Sequence, residues 1–137
     1  MRKRVDSSIL AICVCATIFV SCVSQTELEG RWTGCDIRKP LVDWSLNIRG
    51  DQFHLIREDV FMWYKGRFIL NNNCALRKID FLVDDTNSKS QTGNTILGIY
   101  EINSDTLTVV LGIGCNPSRP NSFDESRHAT VFNFIKS

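Results

Sequence analysis

The feature that most constrains this 137-residue chain is an alternation that runs from Trp44 to Arg57 and doubles back on itself. Trp44-Ser45-Leu46-Asn47-Ile48-Arg49 is apolar at every second position, Gly50-Asp51 supplies a tight turn, and Gln52-Phe53-His54-Leu55-Ile56-Arg57 alternates back. Successive side chains of a strand point to opposite faces, so the pattern describes two half-buried strands joined as a hairpin. A second hairpin is written between Thr95 and Val109, where β-branched and apolar runs flank Asn103-Ser104-Asp105, small side chains that tolerate a turn. Glu101 orients that hairpin: an unpaired carboxylate is costly inside, so Gly98, Tyr100 and Ile102 are expected inward and Leu97 and Ile99 outward. An apolar outer face calls for a covering segment, a partner or a membrane-proximal surface.

The remaining signals are of the same kind. Residues 28–33, 61–70, 78–83 and 129–135 read as further strands, with Gly66 placed where a barrel strand needs to kink. The polar run 84–94 reads as a solvated connection, since it lacks the glycine and the glutamate at the positions that EF-hand geometry requires. No helical period of useful length interrupts the series. Eight antiparallel strands joined mostly by short turns predict an all-β, up-and-down barrel, in which closure leaves no sheet edge exposed. A barrel of this size is either filled by side chains or holds one small ligand.

The start of the chain has a different character. Arg2, Lys3 and Arg4 precede an apolar run from Ile9 to Val20, the layout of a secretory signal and too short for a span, which needs roughly 20 apolar residues. Phe19-Val20-Ser21-Cys22 resembles a bacterial lipobox, with Phe19 where leucine is usual; an ordinary signal-peptidase cut after Ser24 is the alternative. The lipobox divides the chain into a lipoprotein signal peptide, 1–21, a short tether, 22–26, and one barrel domain, 27–137, with Cys22 as the lipid attachment residue. The destination is then the cell envelope, membrane-anchored through lipid; without the lipid it is a secreted or periplasmic soluble domain. Removing residues 1–21 leaves 13 basic and 14 acidic residues, a net of −1, which gives no electrostatic case for nucleic acid.

Of the six cysteines, Cys35, Cys74 and Cys115 remain after the signal and the lipid-bearing Cys22. Three thiols in an oxidising compartment allow three pairings; Cys35 to Cys74 is the most economical, because both are expected at strand ends. No C-x-x-C spacing supports a metal site, and no cofactor motif is present. His54 stands in a strand and His128 in a polar loop with no metal-ligand motif around them, no G-x-S-x-G elbow places a nucleophile, and Asp124-Glu125 point apart if extended. The expectation is a protein that is not an enzyme.

Five segments carry a resemblance. Leu28-Glu29-Gly30-Arg31-Trp32, Gly50-Asp51-Gln52-Phe53, Leu97-Gly98-Ile99-Tyr100-Glu101-Ile102, Asp105-Thr106-Leu107 and Arg119-Pro120 with Ser122-Phe123 occur in the order found in a family of short, secreted, lipocalin-like bacterial domains. The resemblance implies that Trp32 plugs the closed end of a barrel, often under an arginine. It also implies an architecture that carries a small apolar or amphipathic ligand; Phe53, Tyr64, Phe68 and Tyr100 fall on expected inward positions, and Arg119 is the candidate polar contact at the mouth. The competing expectation is a filled barrel that serves as an interaction or structural module of the envelope, and cavity volume is what separates the two.

Overall fold

The computed structural model describes residues 25–72, 76–113, 118–124 and 128–137. The signal, Cys22, Cys74 and Cys115 therefore lie outside the described residues. A short helix, α1 (Gln25–Leu28), leads into eight strands: β1 (Gly30–Asp36), β2 (Trp44–Arg49), β3 (Gln52–Arg57), β4 (Met62–Asn72), β5 (Arg77–Thr86), β6 (Thr95–Asn103), β7 (Thr106–Gly112) and β8 (Ala129–Lys136). Each pairs antiparallel with the next in chain order, and β8 pairs with β1, so the sheet closes as an up-and-down barrel. Every strand has two hydrogen-bonded neighbours, and no edge is left as a template for pairing with another chain.

The alternation decides which side chains fill the interior. Trp32, Leu46, Ile48, Phe53, Phe68, Ile79, Phe81, Val83, Tyr100, Leu107, Val109, Phe132 and Phe134 belong to one buried cluster. The bounds of β2 and β3 coincide with the sequence pattern, and the turn between them has Gly50 at a φ of 60°, a left-handed conformation that glycine adopts without a Cβ clash. Residues 28–33 were expected as the first strand, but α1 ends at Leu28 and β1 runs on to Asp36. The shift has a use: Leu28 is completely buried beneath the barrel, and its carbonyl accepts a 2.8 Å hydrogen bond from the Trp32 indole N–H. β5 likewise continues past Val83 into the polar run, because Thr86 is buried and its hydroxyl donates to the Trp63 carbonyl at 2.6 Å.

Gly66 stands at a register shift in the β4–β5 ladder, between Lys65 and Gly66. A Cβ there would fall 1.9 Å from the Leu82 carbonyl oxygen, so the strands approach closely only because the side chain is missing.

The two ends of the barrel differ. The turns at Gly50-Asp51 and Ser104-Asp105, the end of β4 and the start of β5, and both termini of the barrel gather at one end, which Trp32 and Leu28 close. Lys136 reaches across this plug with its Nζ 5.4 Å from the Trp32 ring centroid, a lysine where the resemblance implied an arginine. Connections 37–43, 58–61 and 87–94, the end of β7 and the start of β8 are at the other end.

A second apolar cluster lies outside the barrel. Ile99, Val110, Ala129 and Val131 point outward from β6, β7 and β8 and are buried, with Ile37, Leu76 and Phe123 packed over them. Tyr100 is inside, so the orientation expected from Glu101 holds, and the outer apolar face is met by a covering segment of the same chain. That segment crosses Gly112, where a Cβ would lie 2.1 Å from the Ser118 carbonyl oxygen.

Candidate functional site

The open end holds a cup of about 550 Å³, lined by inward residues of β1, β2, β3, β4, β6, β7 and β8 and by the β5–β6 connection. Trp44, Leu55, Tyr64, Ile96, Leu111 and Phe132 form its apolar walls, and Asp36, Gln91, Asn94, Thr95 and Thr130 bring polar groups to it. Below it, a void of only about 20 Å³ remains among Leu46, Leu55, Phe81, Val109, Leu111, Phe132 and Phe134. A space of that size has room for about one water, and an all-apolar lining leaves it dry. Leu55, Leu111 and Phe132 wall both spaces, so the cup is the upper part of the barrel interior and the packed aromatics are its floor.

Local contacts hold the walls in place. The Trp44 ring stands edge-on to Phe132, 5.3 Å between centroids at 80°, and Phe132 stacks on Phe134 at 5.5 Å. Asp36 pairs across the ladder with Phe132, and its carboxylate accepts the Arg38 backbone N–H at 2.9 Å, which fixes the carboxylate at the strand end. Asn94 donates its side-chain amide to Gln91 at 2.9 Å, following the 3₁₀ turn Lys89–Gln91. Burial pushes the Tyr64 phenol above its ordinary pKa, partly opposed by the nearby Arg57 charge, so Tyr64 is a neutral hydroxyl at physiological pH. Arg57 is itself held by Asp59 through two contacts, 2.7 and 3.0 Å, which raise the guanidinium's pKa and lower the carboxylate's.

The rim is apolar. Leu41, Val60, Phe61 and Ile113 are exposed on the connections around the mouth, Leu41 at 96% and Phe61 at 72%. Phe61 adopts a φ of 56°, unusual for a bulky side chain. Asn87 holds it there, donating to the Phe61 carbonyl at 2.7 Å while accepting the Trp63 N–H at 3.0 Å.

The residues expected to line a pocket part company. Tyr64 is in the cup wall. Phe53, Phe68 and Tyr100 are inward as expected but belong to the packed interior; Phe53 meets Phe81 edge-on at 4.8 Å, and Phe68 meets Phe81 at 6.4 Å. Arg119 is not at the mouth. Its Nη1 donates to the Gly98 carbonyl at 3.0 Å and lies 2.7 Å from Asp80 Oδ1, an ion-pair contact too bent to count as a hydrogen bond, on the outer side of β5 and β6. Arginine there pins the covering segment to the barrel. Cys35 points outward from β1, half-buried and unbridged among the described residues, next to the last residue of the strand at the open end. Asn72 and Arg77, which flank the segment containing Cys74, are at the closed end.

Trp44, Asp36 and Phe132 were not expected as site residues. Trp44 begins the clearest alternating strand and could have been placed inward at its open end, but nothing in the spacing of Asp36 marks it as a cup residue.

A broader outer concavity of about 660 Å³ crosses β2 to β5, bordered by Arg49, His54, Lys65, Arg67, Asp84 and Asp85. Most of these are exposed charged side chains on the outer face, with Arg67 and Asp84 3.7 Å apart. Among the described residues no group of three histidines, cysteines or carboxylates could hold a metal ion, and no helix is long and apolar enough to cross a membrane.

These features define a closed eight-stranded barrel, packed at one end and cupped at the other. No family model, curated protein or solved structure matches the chain.

Proposed function

We propose that this chain is an exported lipocalin-like lipoprotein, anchored through Cys22, whose barrel binds a small apolar or amphipathic molecule at its open end. The observation that carries the reading is the cup: about 550 Å³ falls within the roughly 300–1,000 Å³ of small-molecule sites, and its walls are mostly apolar with a few polar groups. The order of the five sequence segments supports the lipocalin-like assignment. The tether supports an orientation: α1 and the start of β1 are at the closed end, and the three residues from Cys22 to Gln25 reach at most about 10 Å. A lipid on Cys22 holds the closed end against the bilayer and turns the cup away from it. Stable anchoring needs more than one acyl chain, which a lipobox cysteine receives.

A second reading is favoured by the exposed rim of Leu41, Val60 and Phe61 and by the filled lower barrel: a protein-interaction module with no small ligand. Native mass spectrometry of the protein from its own membranes, before and after solvent extraction, separates the two. The binding reading expects a stoichiometric non-covalent adduct that is lost in Tyr64→Ala; protein that is consistently empty supports the interaction module. Detergent phase partitioning of Cys22→Ala against the parent tests the anchor, and equal recovery of both in the aqueous phase excludes it.

A further inference from the structure

We infer that the cup selects a ligand with a cationic head, an ammonium carried on an apolar body, over an anionic amphiphile such as a fatty acid. This rests on the binding reading and deepens it. The charge of the lining is the reason: of the thirteen residues around the cup, Asp36 alone is charged. An anionic head group needs an arginine, a lysine or a set of converging backbone N–H groups, and the lining has neither cation. Arg57 follows Phe53 and Leu55 on the inward parity of β3 and its charge reaches Tyr64, but Asp59 grips it at 2.7 and 3.0 Å, so the pair adds no net charge at the mouth.

Three features favour a cation in positive terms. The Asp36 carboxylate lines the cup from β1 and is half-buried, where Coulomb attraction is stronger than in bulk water. Trp44, Tyr64 and Phe132 present aromatic surface to the same space, and the negative face of an aromatic ring attracts an ammonium. The neutral Tyr64 hydroxyl and the side chains of Thr95, Thr130 and Asn94 supply oxygens that accept hydrogen bonds from N–H donors. The apolar body occupies the lower cup against Leu55, Leu111 and the Phe132 ring, above a floor too tightly packed to admit it further.

A matched series tests the charge preference: decylamine, 1-decanol and decanoate, which share one chain length and differ in head group. Calorimetric titration at pH 7.4, below micelle-forming concentrations, should find the amine about tenfold tighter than the alcohol and the carboxylate weakest, as expected for one partly buried ion pair with aromatic support. In Asp36→Asn, a nearly isosteric change, the amine-to-alcohol ratio should fall to about one. Decanoate binding as tightly as decylamine overturns the inference, as does a preference for the amine that survives Asp36→Asn. Equal binding of amine and alcohol to the parent overturns it too, while leaving the cup a ligand site. If none of the three binds the parent, the binding reading itself falls.

Discussion

At the scale of single residues, Trp32 carries the closed end. Its ring is fully buried, its N–H is spent on the Leu28 carbonyl, and Lys136 covers its face. Trp32→Phe removes the donor, strands a buried carbonyl and leaves a void, and chemical denaturation should register a loss of roughly 2–3 kcal/mol. This role was expected from the resemblance, which places the tryptophan of Gly30-Arg31-Trp32 as a barrel plug. Its lysine partner was not, since nothing local ties residue 136 to residue 32. His54 gives a pH-dependent term. Burial first, and the Lys65 charge second, hold its imidazole below the ordinary value of about 6.5. The folded state therefore takes up this proton less readily than the unfolded chain, so the contribution is complete above that value and is lost as pH falls through the lowered one. A urea series from pH 7.5 to 5 should show midpoints declining toward acid, with a shallower decline in His54→Gln.

Among elements, the covering segment shows most clearly what alternation can and cannot reveal. Outward Ile99 could be read from Glu101, and with it the need for something to lie over β6. What covers it could not, because Ile37, Leu76 and Phe123 come from three connections with no periodic pattern. Arg119 looked like a mouth residue for the same reason: a loop side chain carries no parity, and only the fold places it against Gly98 and Asp80. Strands with strong period-two patterns, β2 and β3, were legible to the residue, whereas β1 and β5 were misjudged where a glycine or a polar run hides the pattern. Gly112→Ala should lift the cover, since its Cβ would fall 2.1 Å from the Ser118 oxygen. The expected cost is roughly 1–3 kcal/mol, with faster hydrogen exchange in residues 118–124 and little change in β2 and β3. Unchanged exchange in that segment would mean that it is held by other contacts.

For the whole molecule, packing changes with height: the barrel is filled around Trp32, Phe53, Phe68 and Tyr100, and open above Phe132. Sequence alone could not separate these halves, because inward aromatics look alike whether they fill a core or line a pocket, and the difference is set by how far the connections stand apart at each end. The gradient also divides the barrel's work: the lower half supplies cohesion, and the upper half can trade packing for a cavity without losing closure. The most direct test is methyl NMR during titration with 1-decanol, an uncharged probe that reports the cup independently of its charge preference. Saturable shifts at Leu55, Ile96 and Leu111, with Leu28, Ile48 and Ile79 unmoved, are the expected result; shifts centred on the closed end, or none at any residue, would contradict a ligand cup at the open end.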